Sequence, residues 1–147
     1  TTAIKNFEFK NGRPITKAML AWWAFTHDDQ SLPLLNASFE IEHIFAKKRQ
    51  ENDKSLKNIR NLDSLGNKAL LEETINLRAS DYRFVDKTKY YKGFTNDKGQ
   101  SKHGTIIEEL KKLATINNDF TEQDIENRNE EIINQFITYL KNNELIK

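Results

Sequence analysis

One pentapeptide, FEIEH at residues 39–43, is where apolar and polar side chains alternate singly, and it limits the fold more than any other stretch. Alternation with period two puts Phe39 and Ile41 on one face and Glu40 and Glu42 on the other, the pattern of a half-buried strand. A second strand is predicted in LGNKALLE, residues 65–72, where Gly66 permits a bend and Ala69–Leu71 is a short apolar run. The other apolar residues recur at helical spacing. PITKAMLAWWAFTH, residues 14–27, carries Ile15, Met19, Trp22, Trp23 and Thr26, with Pro14 suited to a first helical turn. Residues 74–91 are helical in character, with Ser80 or Asp81 able to cap a second segment. Helices are also expected over about 103–116 and 122–142, the latter opened by Thr121 and Asp124 in a capping-box arrangement. Residues 46–64, with one helical turn at most, and 93–101 are read as loops. The expected fold class is α+β, mainly α-helical with a small two-stranded element.

At 147 residues the chain suits one domain that buries roughly two-thirds of its unfolded surface. Nine Phe, four Tyr and two Trp exclude a disordered chain. The absence of cysteine excludes disulfides, thiol nucleophiles and zinc-thiolate sites, and it suits a reducing cytoplasm. No apolar run approaches the roughly 18 residues of a membrane span, and no signal-peptide pattern opens the chain. The first residues, TTAIKNF, lack an initiator Met, which reads as a piece of a longer protein.

A formal net charge of +1 conceals a split. Residues 78–112 hold nine basic against five acidic residues, whereas 117–147 hold three against seven. Residues 47–60 hold six against two. Basic central segments beside an acidic tail are compatible with one face meeting a polyanion, and equally with scattered solvated charge.

The chain has no Gly-x-Ser-x-Gly, Walker or dinucleotide loop, which argues against nucleophile, NTPase and dehydrogenase chemistry. His27 ends the first helix, where a cation suits the helix dipole, and His103 lies in a polar region. The Trp22–Trp23 pair reads as a core anchor rather than a base-stacking platform. His43 differs, because it follows Glu42 at a strand end and precedes the basic residues Lys47, Lys48 and Arg49. If the second strand pairs antiparallel with the first and the next helix crosses the pair, Asn67 and Asn76 approach Glu42 and His43. Carboxylate and amide oxygens suit Mg²⁺ or Mn²⁺, a neutral imidazole can deprotonate water, and the cations can hold a phosphodiester. Adjacent strand residues point to opposite faces, so Glu42 and His43 share a site only where the strand ends or bends. His43 as an ordinary strand-end residue in a helical interaction domain stays open.

The ordered set IEHIFAKK, NLDSLGNKALLEETINLRAS, YRFVDKTKYY and FTEQDIENR resembles the HNH nuclease family. More narrowly it resembles the C-terminal HNH domain of GmrSD-type modification-dependent restriction enzymes and related phage-defence proteins. The match runs from about residue 39 to 133. The resemblance implies a ββα-metal finger over about 38–92, between a helical part at 1–37 and C-terminal helices at about 102–143. It implies metal-dependent DNA cleavage, with His43 as general base, Glu42 and Asn76 as ligands of Mg²⁺ or Mn²⁺, and Asn67 bracing the finger beside His43. Phe84 and Lys87 fall on a Phe-x-x-Lys-x-x-x-Tyr segment whose Tyr is Tyr90 or Tyr91, with Lys87 at phosphate or close to the site. Arg128 matches a late Arg. Ala46 replaces a frequent Pro, and Lys68–Ala69 replaces the usual Leu-Thr. DNA is the implied partner, with an N-terminal sensor or nucleotide-binding domain in the full-length protein, and a homo-oligomer is possible. Against an endonuclease effector stands a catalytically inactive module on the same scaffold, binding nucleic acid or docking protein.

Overall fold

The computed structural model describes residues 2–33, 36–79 and 83–146. A short helix, α1 (Thr2–Lys5), precedes α2 (Pro14–Phe25), which has Pro in its first turn as expected. The buried face of α2 is Thr16, Met19, Leu20, Trp23 and Ala24, rotated slightly from the expected stripe, and Ile15 is exposed. The turn is set partly by Thr16, whose hydroxyl donates to the Lys10 carbonyl at 2.6 Å and points inward. Trp23 is buried in the core, while Trp22 lies half-buried against Phe136 with ring centroids 5.2 Å apart.

Strands β1 (Phe39–His43) and β2 (Lys68–Glu72) pair antiparallel, with Glu42 opposite Ala69 and His43 opposite Lys68. Between them, the stretch expected to be loop forms α3 (Lys47–Asp53) and two 3-10 turns, Ile59–Asp63 and Leu65–Asn67. After β2 come α4 (Glu73–Ala79) and α5 (Phe84–Lys92), and α4 packs along both strands. Arg83 is the N-cap residue of α5, and the proposed caps Ser80 and Asp81 lie outside the described residues.

Residues expected to be loop and helix start instead form a hairpin, β3 (Gly93–Thr95) with β4 (Ser101–His103). Gly93 has φ of 89°, where other residues are strained. His103 is therefore an exposed strand residue, and the next helix, α6 (Glu108–Ile116), starts later than its apolar spacing suggests. The last helix, α7 (Glu122–Asn142), has the expected bounds, and Thr121 and Asp124 form the reciprocal capping box. It lies so close to the turn before β2 that a Cβ on Gly66 would sit 2.0 Å from the Ile125 carbonyl oxygen. Only glycine fits there.

Candidate active site

The alternation of β1 assigns Glu42 to the polar face of a half-buried strand, yet Glu42 is buried, at 4% exposure, while Phe39, Ile41 and His43 are intermediate. The reversal comes from α4 and α5, which cover that face with polar groups. Lys87 and Tyr91 are one helical turn apart on α5 and therefore share a side. The Lys87 ammonium donates to Glu42 Oε2 at 3.0 Å, and the Tyr91 hydroxyl donates to the same oxygen at 2.8 Å. Asn76, from α4, places its amide nitrogen 3.4 Å from Oε1. Ala69, opposite Glu42, leaves room for this cluster. Burial raises the Glu42 pKa against the opposing pull of Lys87 and Tyr91.

His43 occupies the other face. Its Nε2 lies 3.1 Å from Asp63 Oδ1, and its side chain is 12% exposed. Burial lowers its pKa below 6.5, helped by Lys68 and Lys47 and opposed by Asp63, so the ring is neutral at physiological pH. Beside it on β2, Lys68 is fully buried and donates to the Phe9 carbonyl at 2.6 Å. Its ammonium lies 3.7 Å from Asp63 Oδ1. The two faces meet at Lys87, which also donates to the backbone carbonyl of His43 at 3.1 Å.

Asn67 is fully buried and links three strands of chain. Its Oδ1 accepts from the Phe45 amide at 2.7 Å, and its Nδ2 donates to the carbonyls of Phe45 and Leu62, each at 2.9 Å. Its own carbonyl accepts from the Ile44 amide at 3.0 Å. These bonds fix the direction of the chain immediately after His43. Arg128, from α7, holds the same turn from behind by donating to the carbonyls of Leu65, Gly66 and Lys68 at 3.2, 3.0 and 2.6 Å. Its other nitrogens donate to Glu109, which also accepts from Trp23 Nε1.

The profile of the GmrSD restriction endonucleases, C-terminal domain, matches residues 2–135. The chain belongs to this family. No curated protein and no solved structure matches it.

Within this GmrSD C-terminal domain, the structure brings Glu42, Asn76 and Lys87 into direct contact and leaves His43 on the other face of β1. The basic residues separate by environment. Lys47 and Lys48 are exposed, Lys48 lying 3.6 Å from Glu51. Arg49 donates to both oxygens of Asp119 at 2.8 and 2.9 Å and covers the Phe45 ring at 4.2 Å. Lys87 is 1% exposed and turned inward, beside the site and away from the surface. Of the two candidates for the Tyr of its segment, Tyr91 bonds to Glu42.

A divalent ion fits the Glu42–Asn76 pair by donor chemistry. Amide O and N exchange places by a half-turn, which would set two hard oxygens at the observed 3.4 Å spacing. Neighbouring octahedral ligands of Mg²⁺, with bonds of about 2.0–2.1 Å, stand about 2.8–3.0 Å apart, so the two oxygens would have to close by about 0.4–0.6 Å on the ion. Glu42 Oε1 also keeps accepting capacity, because Lys87 and Tyr91 both use Oε2. No group of three or more His, Cys, Asp or Glu assembles as a metal site among the described residues, so amide and water oxygens would complete the shell.

Sequence reasoning missed Asp63, which sits in a 3-10 turn with no periodic pattern to mark it. It registered Lys68 only as a departure from the family pattern. No helix of the described residues is long and apolar enough to cross a membrane.

Proposed function

We propose that the domain is an HNH-type, metal-dependent DNA endonuclease, the effector of a restriction or anti-phage defence protein. In this reading β1, β2 and α4 are the ββα-metal finger, and a preceding domain of the full-length protein senses the target. The observation that carries the proposal is the Glu42–Asn76 contact next to a neutral, partly open His43. Glu42 and Asn76 would hold Mg²⁺ or Mn²⁺, and the bound ion would offset negative charge developing on the phosphate. His43 takes the proton of the attacking water, the step that needs a neutral imidazole. Asn67 keeps the backbone just after that imidazole from shifting. Lys47 and Lys48, exposed just beyond it, meet the phosphate backbone, while Arg49 ties α3 to Asp119. Lys87 holds the ligand carboxylate in place.

The test is nicking of supercoiled plasmid with Mg²⁺ or Mn²⁺ by the wild type and by His43→Ala. Loss of nicking with an unchanged circular-dichroism spectrum is expected, and equal cleavage by the two would refute the assignment.

A second reading rests on Lys87. Its ammonium already neutralises Glu42 without any metal, which favours a closed structural pair and a non-cleaving module that binds nucleic acid or docks protein. That reading predicts salt-sensitive DNA binding that needs no divalent ion, and no nicking with any metal.

A further inference from the structure

We propose that Asp63 is a positioning residue for His43: its carboxylate accepts a hydrogen bond from Nε2–H and thereby leaves the lone pair on Nδ1 to receive the proton of water. This inference rests on the reading of His43 as the general base.

The geometry is one carboxylate oxygen shared by two partners. Asp63 Oδ1 faces His43 Nε2 at 3.1 Å and the Lys68 ammonium at 3.7 Å. In a neutral imidazole one nitrogen donates and the other accepts, so a carboxylate on Nε2 selects the Nε2–H tautomer. The 3-10 turn that carries Asp63 is fixed without help from its carboxylate. Glu122 accepts from the Lys57 and Asn58 amides and the Asn61 side chain, each at 2.9 Å. Asn67 holds the Leu62 carbonyl. Among the described residues, the contacts of the Asp63 carboxylate are with His43 and Lys68.

Lys68 explains the rest of the arrangement. A lysine is rarely buried completely, and this one is. From β2 it lies beside His43, and its bond to Phe9 aims the ammonium at Asp63. It holds Asp63 ionised and directs an oxygen, never an amide or hydroxyl proton, towards the imidazole. Lys68 and Asp63 reach the water only through His43, so neither touches substrate.

The deciding experiment is side-chain ¹⁵N NMR of the 147-residue chain at a pH where His43 is neutral, with His43→Ala identifying its signals. The wild type is expected to give the shifts of the Nε2–H tautomer. Asp63→Ala is expected to give a mixture of tautomers and a kcat lower by on the order of 10- to 100-fold, with KM and Mn²⁺ affinity unchanged. Asp63→Asn, whose amide oxygen still accepts and still faces Lys68, restores both the tautomer and most of kcat. An Nδ1–H tautomer in the wild type overturns the proposal, and so does an Asp63→Ala protein with wild-type tautomer and kcat. Because the tautomer is read without turnover, failure of the endonuclease reading is seen separately, as no nicking by the wild type with any metal, and failure of the general-base assignment as cleavage by His43→Ala.

Discussion

Two adjacent residues of β1 look into opposite environments. On one side Glu42 is sealed under α4 and α5, with Lys87, Tyr91 and Asn76 around it. On the other, His43 faces Asp63, whose side chain is 61% exposed, near the surface formed by the 3-10 turn. The closed side has the groups of a ligand cage, and the open side those of a proton acceptor. Strand alternation turns the two side chains to different faces, and they border one site only because β1 ends at His43; in the proposed reading each group then has the dielectric its task requires.

Breaking the open side should cost the most. In the proposed reading His43→Ala removes the general base, with an expected loss of about 10²–10⁴-fold in cleavage rate and no loss of fold, followed by plasmid nicking and circular dichroism. Breaking the closed side should act on stability. Lys87→Met leaves a buried carboxylate without its cation, an expected cost of about 3–5 kcal/mol by urea unfolding. Tyr91→Phe removes one bond to that charge and should cost about 1.5–3 kcal/mol in the same measurement. If both substitutions prove neutral, the closed side is not closed in solution.

The smallest effect comes from a half-buried carboxylate that serves as a control. At Glu109 burial works to raise the pKa, but Arg128 and Trp23 outweigh it and the net shift is downward, unlike Glu42. A depressed carboxylate contributes stability above its unfolded value of about 4.5, and that contribution is lost as pH falls through the lower folded value. Urea midpoints should therefore drop below about pH 4.5, and Glu109→Gln should flatten that limb. A limb of equal steepness in the variant would show that other carboxylates cause it.

The contrast also marks where sequence was readable. α7, its Thr121–Asp124 box and strand β1 follow from periodicity and capping, which are local, while the β1–β2 pairing was a supposition that the structure bears out. The Glu42–Asn76 approach followed from pairing the strands and crossing them with a helix, and the structure has both. The burial of Glu42 was not readable, because it is decided by where α5 docks, far along the chain. Only the one-turn spacing of Lys87 and Tyr91 signalled a shared face. The β3–β4 hairpin was missed because three-residue strands carry no alternation, and Asp63 because its partner is twenty residues away across a tight turn.

The division of labour across β1 is tested most directly by titrating Mn²⁺ into wild type, His43→Ala and Glu42→Gln, with free Mn²⁺ followed by EPR. Wild type and His43→Ala should bind the ion equally, and Glu42→Gln should bind little or none. Loss of binding in His43→Ala, or wild-type binding in Glu42→Gln, would contradict it.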